Sequence, residues 1–172
     1  MALNNDALLT AAKGYIFTDV VGNATAPTPQ EIYDFVDGSS LTGTWTNLGH
    51  TAREELPEFG FEGGDTETLG TWQVETVKEI VTTPAVDYVT FNAHQMEPEI
   101  FELYYGSTNT STTEGVYSVR SLNDSTQERA LLIVIVDGDS KVAFYAPRTS
   151  IRREEAMTMA VDSFTSLPLR AT

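Results

Sequence analysis

Six consecutive aliphatic residues, Leu131–Val136, form the longest apolar run in the chain and predict a strand buried on both faces. The run is far too short to cross a bilayer, which takes about 20 apolar residues, and its β-branched side chains suit a pleated surface better than a helix. Asp137-Gly138-Asp139-Ser140 then supplies turn chemistry. A second strand, Lys141–Ala146, is predicted to stop at Pro147, which has no N–H to give a ladder. This hairpin is the expected centre of a mainly antiparallel sheet.

Elsewhere the pattern is mostly that of strands. Gly14–Thr18 is a predicted first strand, and Val21–Pro29 a loop rich in Gly, Asn and Pro. Gln30–Val36 fits two helical turns that stop at Gly38, and Leu41–His50 another strand carrying Trp45 and Leu48. Residues 51–65 show no period and are read as a long polar loop with Phe59 and Phe61 inside it. Thr66–Trp72 and Val77–Ala93 read as strands, the latter broken by a turn at Pro84. Glu97–Tyr105 is the clearest helix: Ile100, Phe101, Tyr104 and Tyr105 recur at three and four residues, Pro98 sits in the first turn and Gly106 follows as the stop. Residues 106–115 are a polar loop, after which Val116–Val119 resumes a strand. Residues 153–164 fit a helix by propensity or a strand by alternation of Met157, Met159 and Val161, and Pro168 beyond them favours the extended form. Residues 1–13 fit a short helical turn or an arm.

At 172 residues the chain is expected to form a single domain over 1–172 that needs no covalent staples, and with no cysteine it has no disulfide or thiol chemistry. Ten basic against 25 acidic residues give a formal charge of −15, which disfavours direct binding to a phosphate backbone. The charge is uneven. Residues 54–79 hold eight acids (Glu54, Glu55, Glu58, Glu62, Asp65, Glu67, Glu75 and Glu79) against Lys78, whereas Arg148, Arg152 and Arg153 cluster near the carboxyl end. Opposite patches on one chain invite association between copies.

No catalytic constellation stands out. His50 and His94 lack a second ligand at metal-site spacing, and the Asp137-Gly138-Asp139 turn would put Lys141, Val142 and Arg148 where a calcium loop needs its fifth, sixth and twelfth positions. Carboxylate pairs such as Glu54-Glu55 and Glu154-Glu155 are abundant in any acidic chain and carry little weight as a glycosidase signal. An enzyme is not expected, nor a metal, cofactor or membrane span.

The order of GYIFTDVVG, TWTNLGHT, ELPEFGFEGGDTETLGTWQ, HQMEPEIFELYYG, ERALLIVIVDGDSKVAFYAPR and LPLRAT resembles, over nearly the whole chain, the major tail tube protein of long, non-contractile-tailed bacteriophages, especially those infecting actinobacteria. The resemblance implies an antiparallel β-sandwich or barrel with one flanking helix, assembled into stacked hexameric rings that form a hollow tube, the conduit for DNA ejection. It also implies a virion location after synthesis in the host cytoplasm. The expected partners are other copies of the chain and the tape measure, tail terminator and distal tail proteins, with DNA passing through the lumen without specific binding. Members commonly run on after a segment like LPLRAT, some with an added immunoglobulin-like domain, so a short form or a truncated product is expected. The alternative from the residues alone is a small, soluble, acidic β-sandwich that binds a basic protein partner.

Three sets of residues follow as candidates. The 51–65 loop, with Glu54, Glu55, Phe59 and Phe61, either folds back so that the rings cap their own core or docks on a neighbouring copy; burying each ring is worth about 1.5 to 3 kcal/mol. Arg148, Arg152 and Arg153 are expected to face acids of another copy. Asp65, Glu67, Glu75 and Glu79, all at odd positions of a strand region, are expected to share one face, and some of them to line the lumen, the other expectation being that they lie on the outer wall or in the loop contact.

Overall fold

The computed structural model describes residue 3 and residues 8–106, 109–119 and 127–172. Of the expected amino-terminal arm, residues 1, 2 and 4–7 lie outside the described residues, and 8–12 run without regular structure. The chain order is β1 (Lys13–Val20), α1 (Pro29–Tyr33), β2 (Thr46–Asn47), β3 (Glu58–Glu62), β4 (Thr66–Thr71), β5 (Val74–Val81), β6 (Val86–Ala93), α2 (Pro98–Tyr105), β7 (Gln127–Asp137), β8 (Ser140–Arg153) and β9 (Leu167–Ala171). Seven strands make one antiparallel sheet in the order β2-β1-β7-β8-β9-β6-β3, and β4 pairs with β5 in a separate two-stranded ribbon.

The aliphatic run does form the expected strand buried on both faces, as part of β7. Because strand side chains alternate, β7 serves two cores. Leu131 and Ile133 join Ile16, Phe91, Ile151, Leu167 and Leu169 on the inner face, where Ile100, Leu103 and Tyr104 of α2 also pack. Leu132, Val134 and Val136 face the other way, against Phe17, Ile32, Phe35, Leu41 and Trp45. The sheet curls around the inner core. Residues 46–52 hydrogen-bond to both of its margins: Leu48 N–H donates to Ile16 O (2.9 Å), Ala52 N–H to Asn92 O (2.9 Å), and His94 N–H to His50 O (2.8 Å).

Several boundaries differ from those expected. The strand after the Asp137–Ser140 turn does not stop at Pro147 but continues to Arg153. The pairing shifts there, Arg129 facing Thr149 and Leu131 facing Ala146, so Pro147 sits in a β-bulge where no ladder N–H is required. Only Thr46 and Asn47 of the expected 41–50 strand are strand, and 116–119 are not. The first helix spans five residues, its start fixed by a capping box in which Thr28 Oγ1 accepts from Glu31 N–H and the Glu31 carboxylate accepts from Thr28 N–H. Hydrogen bonds from Thr42 and from Thr28 hold the Glu31 carboxyl below the usual carboxylate range. The second helix ends at Gly106, whose φ of 66° is the left-handed cap that glycine supplies without strain.

Candidate assembly surfaces

Residues 51–65 are not the featureless loop expected, because Glu58–Glu62 form β3, an edge strand paired to β6. Gly60 interrupts the alternation of this strand: it faces Tyr88, and a Cβ there would come 2.5 Å from the tyrosine ring. The Tyr88 ring occupies the space a side chain would fill, and Arg170 lies over that ring at 3.8 Å. The Arg170 guanidinium is 2.6 Å from Glu62 Oε2 and 3.3 Å from Glu154 Oε1, tying β3, β9 and the end of β8 together on the outer face. Its hydrogen bond to Glu62, and then the nearby Glu154 charge, hold it more firmly protonated than a free arginine.

Arg170→Ala is expected to destabilise the fold by about 1 to 3 kcal/mol. The figure lies below the cost of breaking a fully buried pair because the two carboxylates left behind are 59% and 32% exposed. Arg170→Lys should fall between, keeping charge without the planar stack. Urea unfolding measures both; an unchanged midpoint for the alanine variant would contradict this account.

On the opposite, inner face of β3 lie Phe59 and Phe61, partners of Val89 and Asp87. Phe59 meets Phe144 of β8 with ring centroids 4.7 Å apart, yet it remains 50% exposed and Phe61 70%. Phe144 and Val142 are themselves 44% and 38% exposed, so an apolar strip leaves the inner core and runs into solvent beside the free edge of β3. Neither ring caps the core completely. Glu54 and Glu55 lie apart from this strip, on the wall of a groove over β6 and β9, where Glu55 accepts a hydrogen bond from Asn92 Nδ2.

No periodicity or motif in the sequence marks this groove. Its volume is about 1040 Å³, with residues 52–58 on one side and 154–166 on the other. The second side is the segment read as helix or strand; it is neither over most of its length, carrying only a Thr158–Ser166 bridge. Tertiary contacts override its helix propensity: Tyr104 Oη donates to Glu155 O (2.7 Å), and Met157 packs on the inner core.

The β4–β5 ribbon is the most exposed feature of the fold. Every residue from 66 to 81 is exposed, and Trp72 at its turn is 99% so. Thr71 Oγ1 accepts from Val74 N–H (3.3 Å), and neither Trp72 nor Gln73 has a positive φ. The register shifts between Leu69 and Thr71, where Gly70 is required: a Cβ would come 2.1 Å from Glu75 O. This turn overturns the expected common parity of the acids. Glu67 pairs with Ile80 and Glu79 with Thr68, so Glu67 shares a face with Leu69, Lys78 and Ile80, while Glu75 and Glu79 share the other with Val77 and Val81. Asp65 precedes the ribbon and fixes its root through its carbonyl, which accepts from Thr82 N–H (2.9 Å) and Thr82 Oγ1 (3.1 Å).

Of the basic cluster, Arg148 is tied within its own chain, Nη2 and Nε both donating to Glu128 Oε2 at 2.6 and 3.1 Å. Arg152 and Arg153 end β8, Arg152 directly opposite Arg170 of β9. The three are therefore brought near one another but not into one equivalent environment.

The family model for phage tail tube protein matches residues 1–172. Among individual relatives, the major tail protein Gp23 of Mycobacterium phage D29 is 45% identical over 176 aligned positions, covering all of this chain and 87% of the relative. The major tail protein Gp23 of Mycobacterium phage L5 is 43% identical with the same coverage. With a mainly β, antiparallel fold and a match over its whole length, the chain belongs to the phage tail tube protein family.

Proposed function

We propose that this chain, acting as one domain over 1–172, is a structural subunit that self-assembles into hexameric rings, and that these stack into the hollow tail tube through which DNA is ejected. The observation that carries the reading is the amount of sheet left without cover: a ribbon exposed throughout and an edge strand bearing Phe59 and Phe61. A two-stranded ribbon by itself is marginal in water, and a sheet edge bearing exposed aromatic rings invites pairing, so both surfaces gain when a neighbour covers them. The relatives' designation as major tail proteins supports the same role. Subunits made in the host cytoplasm would end in the virion, where the tape measure, tail terminator and distal tail proteins complete the tail.

The formal charge of −15 suits a conduit. DNA carries one charge per about 1.7 Å of axis, and a negative wall offers it no counter-charge to hold it. Glu75 and Glu79, sharing one ribbon face, are the acids best placed together to line such a wall; Asp65 and Glu67 belong to the ribbon's root and other face. Sedimentation of the purified chain tests the assembly, with a closed particle of six times the 18.9 kDa chain expected and a monomer at every concentration contradicting it.

Arg148, Arg152 and Arg153 supply the base for contacts between copies. Single exposed pairs are worth only about 0 to 1 kcal/mol, so their effect comes from repetition around a ring and along the tube. A triple Arg→Gln variant is expected to assemble less and to respond less to salt than the parent. Equal tube yield for the two across a salt series would rule this contribution out.

A further inference from the structure

We propose that the acidic groove over β6 and β9 receives the β4–β5 ribbon of a second copy, and that the ribbon enters by the face carrying Lys78. The inference rests on the self-assembly reading and names the surface that the ribbon meets.

The ribbon cannot fold back into its own groove. It leaves from the Glu62 and Val86 ends of β3 and β6, whereas the groove runs the other way along β6, from Tyr88 to His94. The groove carries Glu54, Glu55, Glu58, Glu154, Glu155 and Asp162 against Arg53. Among the described residues no group of three or more acidic or histidine side chains is arranged to hold a metal ion. At about 1040 Å³ the groove stands at the upper end of small-ligand sites, and Leu56 and Phe164, 50% and 81% exposed, give it apolar walls.

The two ribbon faces differ in charge, which selects between them. One carries Glu75 and Glu79 with no base and is repelled by the groove. The other carries Lys78 among Leu69, Val74 and Ile80, with Glu67 two residues nearer the root than Lys78's partner Leu69. Six residues at the tip, Leu69–Val74, are uncharged. Within them the Trp72 indole offers only a donor and the Gln73 amide offers two, facing carboxylates that only accept. Leu69, Val74 and Trp72, at 44%, 51% and 99% exposure, are the apolar match to Leu56 and Phe164. Seating this face leaves Glu75 and Glu79 directed away from the groove.

The chain has no cysteine, so an introduced thiol is unique. Gln73→Cys protein and Ser163→Cys protein, both altered at exposed positions, are mixed, assembled and oxidised. A disulfide joining one chain of each kind is expected in the assembled tubes. Adding Lys78→Glu to the Gln73→Cys chain should lower its yield about tenfold or more. Tubes without the mixed disulfide, or with disulfides only between like chains, would overturn the groove assignment and leave the tail tube reading intact. A yield unaffected by Lys78→Glu would overturn the choice of face. Absence of any assembled particle from the unaltered chain would overturn the tail tube reading itself.

Discussion

A Phe59→Ser, Phe61→Ser double variant is expected to remain a folded, β-rich monomer that builds no tube. Within the chain these rings do little: Phe61 is 70% exposed, and Phe59 makes one ring contact, with Phe144, worth about 0.5 to 1.5 kcal/mol. In the proposed contact between chains they would matter more, because covering each ring would contribute about 1.5 to 3 kcal/mol. Losing both removes about two to four orders of magnitude from the affinity of every contact they join. Circular dichroism and a urea transition check the fold, and pelleting of polymer checks assembly. Normal tubes from the double variant would show that this strip is not an interface.

The largest loss of stability is expected at Leu132. Its side chain is fully buried between Phe17 of β1 and Tyr145 of β8, its cross-strand partners. Leu132→Ala leaves a cavity that flanking strands cannot close, and should cost about 3 to 5 kcal/mol. That is a large share of a typical stability of about 5 to 15 kcal/mol. With a urea slope of about 1 to 3 kcal/mol per molar, the midpoint should fall by roughly 2 M. Leu132→Met, which nearly conserves volume, should cost under about 1.5 kcal/mol. Equal midpoints for the alanine variant and the parent would mean that β7 is not the centre of the fold.

What the sequence makes legible follows from how strongly each residue's environment constrains it. The run Leu131–Val136 is readable because both of its faces are covered, so nothing but aliphatic residues satisfies it. Helix α2 is readable because one face is buried and its ends carry Pro98 and Gly106. Strand β3 is not, since its inner-face rings stay half or more exposed and its outer face substitutes the Tyr88 ring for a side chain at Gly60. An edge strand with one glycine-gapped face and one half-exposed face shows no clear period.

The ribbon fails for a different reason. Its turn at Trp72-Gln73 uses no glycine or asparagine, so the usual hairpin signature is absent, and counting odd positions straight through it puts Glu67 on the wrong face. Pro147 misleads similarly, since a bulge tolerates the residue that otherwise ends a strand. Arg170 is invisible locally because its role arises from Glu62, Glu154 and Tyr88, brought together only by the sheet order. The family is legible instead in the order of motifs along the chain, which does not depend on where any one strand ends.

Self-assembly is the central claim, and electron microscopy of the purified, unaltered chain tests it most directly. Hollow tubes or stacks of sixfold rings are the predicted result. A field of particles no larger than the single chain at high concentration, with no rings, would contradict it.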